Sequence, residues 1–153
     1  PDQQTLAQLI TAQVHRTPDA VAGRHRGASL AYADLNQRAN VLAHHLIDLG
    51  VGRGDFVGVL DERGLDFLIG LVAILKAGAA FIPIDPGYPA DRVQHMLSDS
   101  GVSTLLTRSA IATRCRAAEA GAELKHVVLF DDRRERSFGI TARSITSTGS
   151  SGN

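Results

Sequence analysis

Leu6, Leu9, Ile10 and Val14 recur at helical spacing. That helix should end at Thr17-Pro18, because proline holds the residue before it out of the helical region. Two short strands follow at 21–25 and 28–32, joined by a hairpin-like turn at Arg26-Gly27. Leu35, Ala39, Leu42, Leu46 and Leu49 share one face of a second helix, which Gly50 stops. The Tyr32-x-Asp34-Leu35 step opens it, with Asp34 as the expected N-cap. A short apolar run at 56–60 reads as a buried strand. Residues 66–77 form a strongly apolar helix ended by Gly78, and 80–84 the next buried strand. A helix at 89–98 starts with Pro89 in its first turn, where a missing N–H costs nothing. Val93, Met96 and Leu97 are its apolar positions. Residues 104–107 (strand), 111–120 (helix) and 126–130 (strand) complete the series.

Strand and helix therefore alternate from residue 56 to residue 130. The strands are apolar throughout rather than at every second position, so both faces of their sheet are covered. This predicts an α/β fold with a mostly parallel sheet flanked by helices. Composition changes after residue 130. Residues 131–136 are highly charged, and 141–153 are mostly Ser, Thr, Gly and Asn, with Ile145 the one large apolar residue. Such a segment buries too little surface to offset its ordering entropy. The expected division is an α/β unit at 1–130 and a flexible tail at 131–153. No internal repeat is visible.

A chain of 153 residues suits one domain with a core of its own. It has five Phe, two Tyr and no Trp, so that core must be aliphatic. Sixteen basic residues balance sixteen acidic ones. This leaves no electrostatic footprint for nucleic acid or an anionic membrane surface. The apolar stretch at 67–84 is interrupted by Lys76, Gly78 and Pro83, so it reads as a helix and a strand rather than a membrane span. Residues 1–4 lack the cationic start of a secretory leader, and the single cysteine, Cys115, makes no internal disulfide. A cytoplasmic setting is the expectation.

Four segments carry a resemblance. They are His15-Arg-Thr-Pro-Asp-Ala-Val-Ala22, Leu30-Ala-Tyr-Ala-Asp-Leu-Asn-Gln-Arg-Ala-Asn40, Gly50-Val-Gly-Arg-Gly-Asp-Phe-Val-Gly-Val59 followed by Glu62-Arg63, and Leu75-Lys-Ala-Gly-Ala-Ala-Phe-Ile-Pro-Ile-Asp-Pro-Gly-Tyr-Pro89, continuing through Arg92 to Ser100. In order and spacing they resemble the opening of the adenylation domains of nonribosomal peptide synthetases, over about residues 5–107. The resemblance implies an N-terminal part of the large subdomain of an adenylate-forming enzyme. Its members join an amino-acid carboxylate to the α-phosphate of ATP, with Mg²⁺, and pass the product to a carrier-protein thiol. The implied partners are the remainder of the adenylation domain and a carrier-protein domain.

That chemistry depends on positioning and charge neutralisation. Here the one candidate for it is Thr146-Ser-Thr-Gly-Ser-Ser-Gly152, which resembles the family's phosphate loop with Thr148 inserted. The implied ATP phosphate contacts are Thr146, Ser147, Gly149, Ser150, Ser151 and Gly152. The same segment also reads as a linker, a cloning remnant or the product of a shifted reading frame. The family's ribose carboxylate, catalytic lysine and amine-binding aspartate have no matching positions. The resemblance thus implies a chain that does not form an aminoacyl adenylate alone and does not hold ATP or Mg²⁺ tightly. A self-associating module, homodimeric through exposed apolar surface, and a generic nucleotide-binding α/β domain are the other readings.

Other constellations read as structural. Gly50-x-Gly52-x-Gly54 follows a helix and precedes a strand, the reverse of a dinucleotide loop. His44 and His45 are adjacent on a helix and do not face each other. Asp61, Glu62 and Asp66 stand at a strand end, where ligands often lie, yet solvated loop charges and a helix start account for them. Cys115 sits between Arg114 and Arg116 with no motif around it. Arg92 is placed to pair with Asp85 or with a backbone carbonyl.

Overall fold

In a computed structural model, the structure describes residues 3–117, 123–131 and 144–145. Helix α1 (Gln3–Arg16) leads into a hairpin, β1 (Val21–His25) and β2 (Ala28–Ala31). Its two turn residues, Arg26 and Gly27, both have positive φ, 50° and 84°. That is the primed turn whose twist suits a two-residue hairpin.

Helix α2 (Tyr32–Asp48) buries Leu35, Ala39, Leu42, Ala43 and Leu46. It is not capped by Asp34, as the sequence suggested: the N-cap is Ala31, with no side-chain cap bond, and Asp34 lies in the first turn. The N–H groups of Tyr32 and Ala33 donate instead to the carbonyls of Ala20 and Pro18, at 2.9 and 2.8 Å. Main-chain acceptors from the preceding turn leave Asp34 only its favourable place beside the positive helix end.

The central sheet has the order β4-β3-β5-β6-β7. Its parallel strands are β3 (Phe56–Leu60), β4 (Ala80–Ile84), β5 (Thr104–Thr107) and β6 (His126–Leu129). β7 (Ser144–Ile145) runs antiparallel to β6, a pairing the polar composition of that segment did not suggest. Helices α3 (Leu65–Lys76), α4 (Ala90–Ser100) and α5 (Ser109–Arg114) make the connections. α5 stops at Arg114, earlier than the apolar spacing implied.

The chain steps from β3 to β4 on one side, then returns to place β5 on the other side of β3. Right-handed crossovers in opposite directions put their helices on opposite faces. The core divides accordingly. One cluster joins Val57, Val59, Leu106 and Val128 to α2 and α3. The other joins Leu60, Leu105, Val127 and Leu129 to Val93, Leu97 and Ile111. α3 comes so close to the sheet that a Cβ at Gly70 would meet Phe130 Cζ at 3.0 Å and Leu106 Cδ1 at 3.2 Å. Among the described residues no helix is long and apolar enough to cross a membrane.

Candidate functional site

The reversal of strand order between β3 and β5 is the place where open α/β sheets receive ligands, outside the carboxyl ends of the strands. Asp61 follows β3 there, and Arg108 follows β5. Thr107 Oγ1 donates to the Leu60 carbonyl at 2.6 Å, extending the β3–β5 pairing by one residue. That bond sets the two strand ends side by side.

Arg108 closes the arrangement. Its Nε donates to Asp61 Oδ1 at 2.8 Å, and its Nη2 to Asp61 Oδ2 at 2.9 Å and to Asp66 Oδ2 at 2.8 Å. The Asp61 side chain is 1% exposed, that of Arg108 34%. The guanidinium pKa is raised above its ordinary range, first by the hydrogen bond to Asp61, with desolvation opposing. Asp66 stands in the first turn of α3, whose N-cap Gly64 a side chain would drive against the ring of His25. A cavity of about 340 Å³ opens beside this cluster, lined by His25, Arg26, Asp61, Glu62, Asp66 and Arg108. Glu62 pairs with Arg26 at 3.3 Å, both well exposed, so that contact contributes little.

One guanidinium spans two carboxylates, and its Nε and Nη2 donors are engaged. This is a clamp on the ends of β3 and β5 and the start of α3. Asp61 and Asp66, which the sequence grouped with Glu62, are thus brought together, while Glu62 turns to the hairpin. Sequence reading missed Arg108, the residue that organises them. The available signal was its place directly after a buried strand. No group of three His, Cys, Asp or Glu residues among the described residues is arranged to hold a metal ion.

The phosphate-loop candidates Thr146, Ser147, Gly149, Ser150, Ser151 and Gly152 lie outside the described residues. β7, just before them, runs toward the amino end of β6, away from the Asp61–Arg108 cluster. Cys115 is fully buried in the second core cluster. Its neighbours point elsewhere: Arg114 donates to the Pro86 carbonyl at 2.8 Å, and Arg116 pairs with Asp91 at 3.0 Å. Among the described residues Arg92 takes neither partner expected for it. It lies 4.6 Å from the centre of the Tyr88 ring, while Asp85 Oδ1 accepts the Gly87 N–H at 2.8 Å. The short Asp85–Gly87 turn satisfies the carboxylate locally and leaves Arg92 the aromatic face. Gly50 and Gly54, with φ of 99° and 88°, are turn residues, and Asp55 Oδ2 accepts the Gly52 N–H at 2.8 Å.

A family model described as AMP-binding enzyme matches residues 10–147. Surfactin synthase subunit 1 of Bacillus subtilis is 40% identical over 145 residues, covering 95% of this chain and 4% of that protein. Phosphinothricin tripeptide synthetase PhsB of Streptomyces viridochromogenes is 48% identical over 108 residues, covering 70% of this chain and 9% of that protein. Among solved structures, a nonribosomal peptide synthetase with α-methyl-L-serine-AMP bound superimposes with a TM-score of 0.75 at 31% identity. The overlap covers 92% of this chain and 15% of that one. The N-terminal subdomain of NpsA from Klebsiella oxytoca gives a TM-score of 0.60 at 26% identity, over 65% of this chain and 26% of that one. This chain therefore spans a small fraction of the length of the relatives it matches. With the four motif blocks in order and a parallel sheet that superimposes on a synthetase, the chain belongs to the AMP-binding enzyme family, as the N-terminal portion of a nonribosomal peptide synthetase adenylation domain.

Proposed function

We propose that this chain supplies the scaffold part of an amino-acid-activating adenylation domain, which forms an aminoacyl adenylate from ATP and delivers it to a carrier-protein thiol. The observation that carries this is the likeness, over 92% of the chain, to a synthetase holding an aminoacyl-AMP. Within it, residues 1–130 form the α/β unit and residues 131–153, apart from the short β7 pairing, a tail containing the phosphate loop. Thr146, Ser147, Gly149, Ser150, Ser151 and Gly152 would offer hydroxyls and backbone N–H groups to the phosphates of ATP. Mg²⁺ in such chemistry is held by waters, substrate phosphates and only one or two carboxylates, so the lack of a three-ligand cluster among the described residues is compatible with it. The chain alone neither turns over nor binds ATP and Mg²⁺ tightly, and it works in the cytoplasm.

ATP–pyrophosphate exchange with each of the twenty amino acids tests this. The expected result is no exchange by the chain alone, and exchange when it replaces the matching segment of an active homologous adenylation domain. Turnover by the isolated chain, or a folded but inactive chimera, would refute the reading. Leu9 and Phe56, 60% and 54% exposed, favour the homodimer as a second reading, which sedimentation equilibrium checks. A generic nucleotide site at the strand ends is disfavoured by the engaged Arg108 clamp, and calorimetry with ATP and AMP distinguishes it.

A further inference from the structure

β4 is the terminal strand of the central sheet, so among the described residues one of its sides has no neighbouring strand. Its sequence, Ala-Phe-Ile-Pro-Ile, is uncharged and apolar. An exposed edge of that composition is a template for strand addition. Backbone groups along a strand alternate in direction. The Ala80 N–H donates to the Asp55 carbonyl at 3.0 Å, toward β3. Phe81 and Pro83 therefore present their backbone groups to the outside.

Neither outward position leaves a free N–H. The Phe81 N–H donates to Gln3 Oε1 at 2.9 Å, and Gln3 Nε2 donates back to the Phe81 carbonyl at 3.4 Å. One side-chain amide thus reproduces the reciprocal pair that a neighbouring strand would make. Two residues on, Pro83 has no N–H to offer, and proline in sheets is confined to such outward-facing edge positions. Gln3 is the first residue of α1, which packs against α2 and α3, so the amide is presented from a helix fixed to the core.

We propose that Gln3 and Pro83 together form a guard on the β4 edge, and that removing it lets β4 pair with β4 of a second copy of this chain. The second copy is the fitting occupant because the segment is uncharged and self-complementary: Ile82 and Ile84 meet their own kind without like-charge repulsion.

Amide hydrogen exchange at Phe81 and sedimentation velocity on the full chain test the proposal. Gln3→Ala should raise the Phe81 exchange rate about fivefold, the equivalent of one ordinary hydrogen bond. Gln3→Glu keeps the acceptor and should hold that rate close to wild type. Gln3→Ala with Pro83→Val should associate one step beyond the wild-type state and gain protection across residues 80–84. Unchanged Phe81 exchange in Gln3→Ala overturns the guard. A folded double variant that sediments as wild type overturns the pairing. Should that double variant fail to fold, Gln3→Ala with Pro83→Ala takes its place in the sedimentation test, with the same two outcomes.

Discussion

Truncating Arg108 to alanine tests the clamp at the strand ends most directly. Asp61 would remain, 2% exposed, without its two charge-assisted hydrogen bonds. Breaking a buried pair by removing one partner costs about 3–5 kcal/mol, because the remaining charge stays desolvated. Exposed pairs are worth about 0–1 kcal/mol. Arg108 is one-third exposed, and its loss admits water to Asp61. The expected cost is therefore intermediate, about 2–4 kcal/mol. A chain of this size is stable by about 5–15 kcal/mol, so the loss is readable in urea denaturation followed by far-UV circular dichroism, with an unchanged slope. Asp61→Leu with Arg108→Met, an apolar pair of similar bulk, should recover most of the loss. Asp66→Asn should cost under about 1 kcal/mol, since Asp66 is 28% exposed. The raised guanidinium pKa contributes stability that is present below the unfolded value and lost as pH rises through the folded one. Both values lie at the strongly alkaline extreme, so the clamp adds no slope across the neutral range. Arg108→Ala within about 0.5 kcal/mol of wild type, or an equal cost for that change when Asp61 is already leucine, would refute the buried-charge reasoning.

Gly70→Ala should destabilise by about 1–2 kcal/mol, as overpacking against Phe130 and Leu106 outweighs the helix-propensity gain; a thermal melt reads it. Thr107→Val should cost about 1–2 kcal/mol in the same urea assay, because the Leu60 carbonyl loses a buried donor. Burial lowers the pKa of Lys76, so the unfolded chain holds that proton more tightly. Stability should then rise as pH climbs from the folded value toward the ordinary lysine range, and Lys76→Met should remove the rise in a pH series of urea midpoints.

The elements legible in the sequence were those whose cause is local. Periodic leucines announced α2, and Arg26-Gly27 announced a hairpin whose two positive φ angles are set within the turn itself. What escaped was set by partners far along the chain. Arg108 reaches Asp61 across 47 residues, and Gln3 reaches Phe81 across 78. Neither separation leaves a periodic trace, and an isolated arginine or glutamine reads as a solvated side chain until the fold supplies its partner. The first N–H groups of α2 depart from the expected Asp34 cap for a related reason: the sequence shows side-chain caps, whereas the carbonyls of Pro18 and Ala20 are invisible in it.

The block at residues 75–89 shows why a motif can identify a family without locating its chemistry. Gly78 has φ 89°, a conformation costly for any residue with a side chain. Pro83 stands at an outward-facing position of β4 where the ladder to β3 needs no N–H, Asp85 receives the N–H of Gly87, and Tyr88 lies under the Arg92 guanidinium. Each residue type is thus fixed by a backbone or packing requirement of one helix-to-strand passage. None of these requirements invokes a substrate. A sequence must satisfy all of them in fixed order to make this passage, which is enough to make the block specific to a fold lineage. Reaction chemistry leaves such a dense local signature only where its groups are contiguous. The Asp61–Arg108–Asp66 clamp, assembled from two strand ends and a helix start, shows how an arrangement of equal geometric strictness goes unmarked in the sequence.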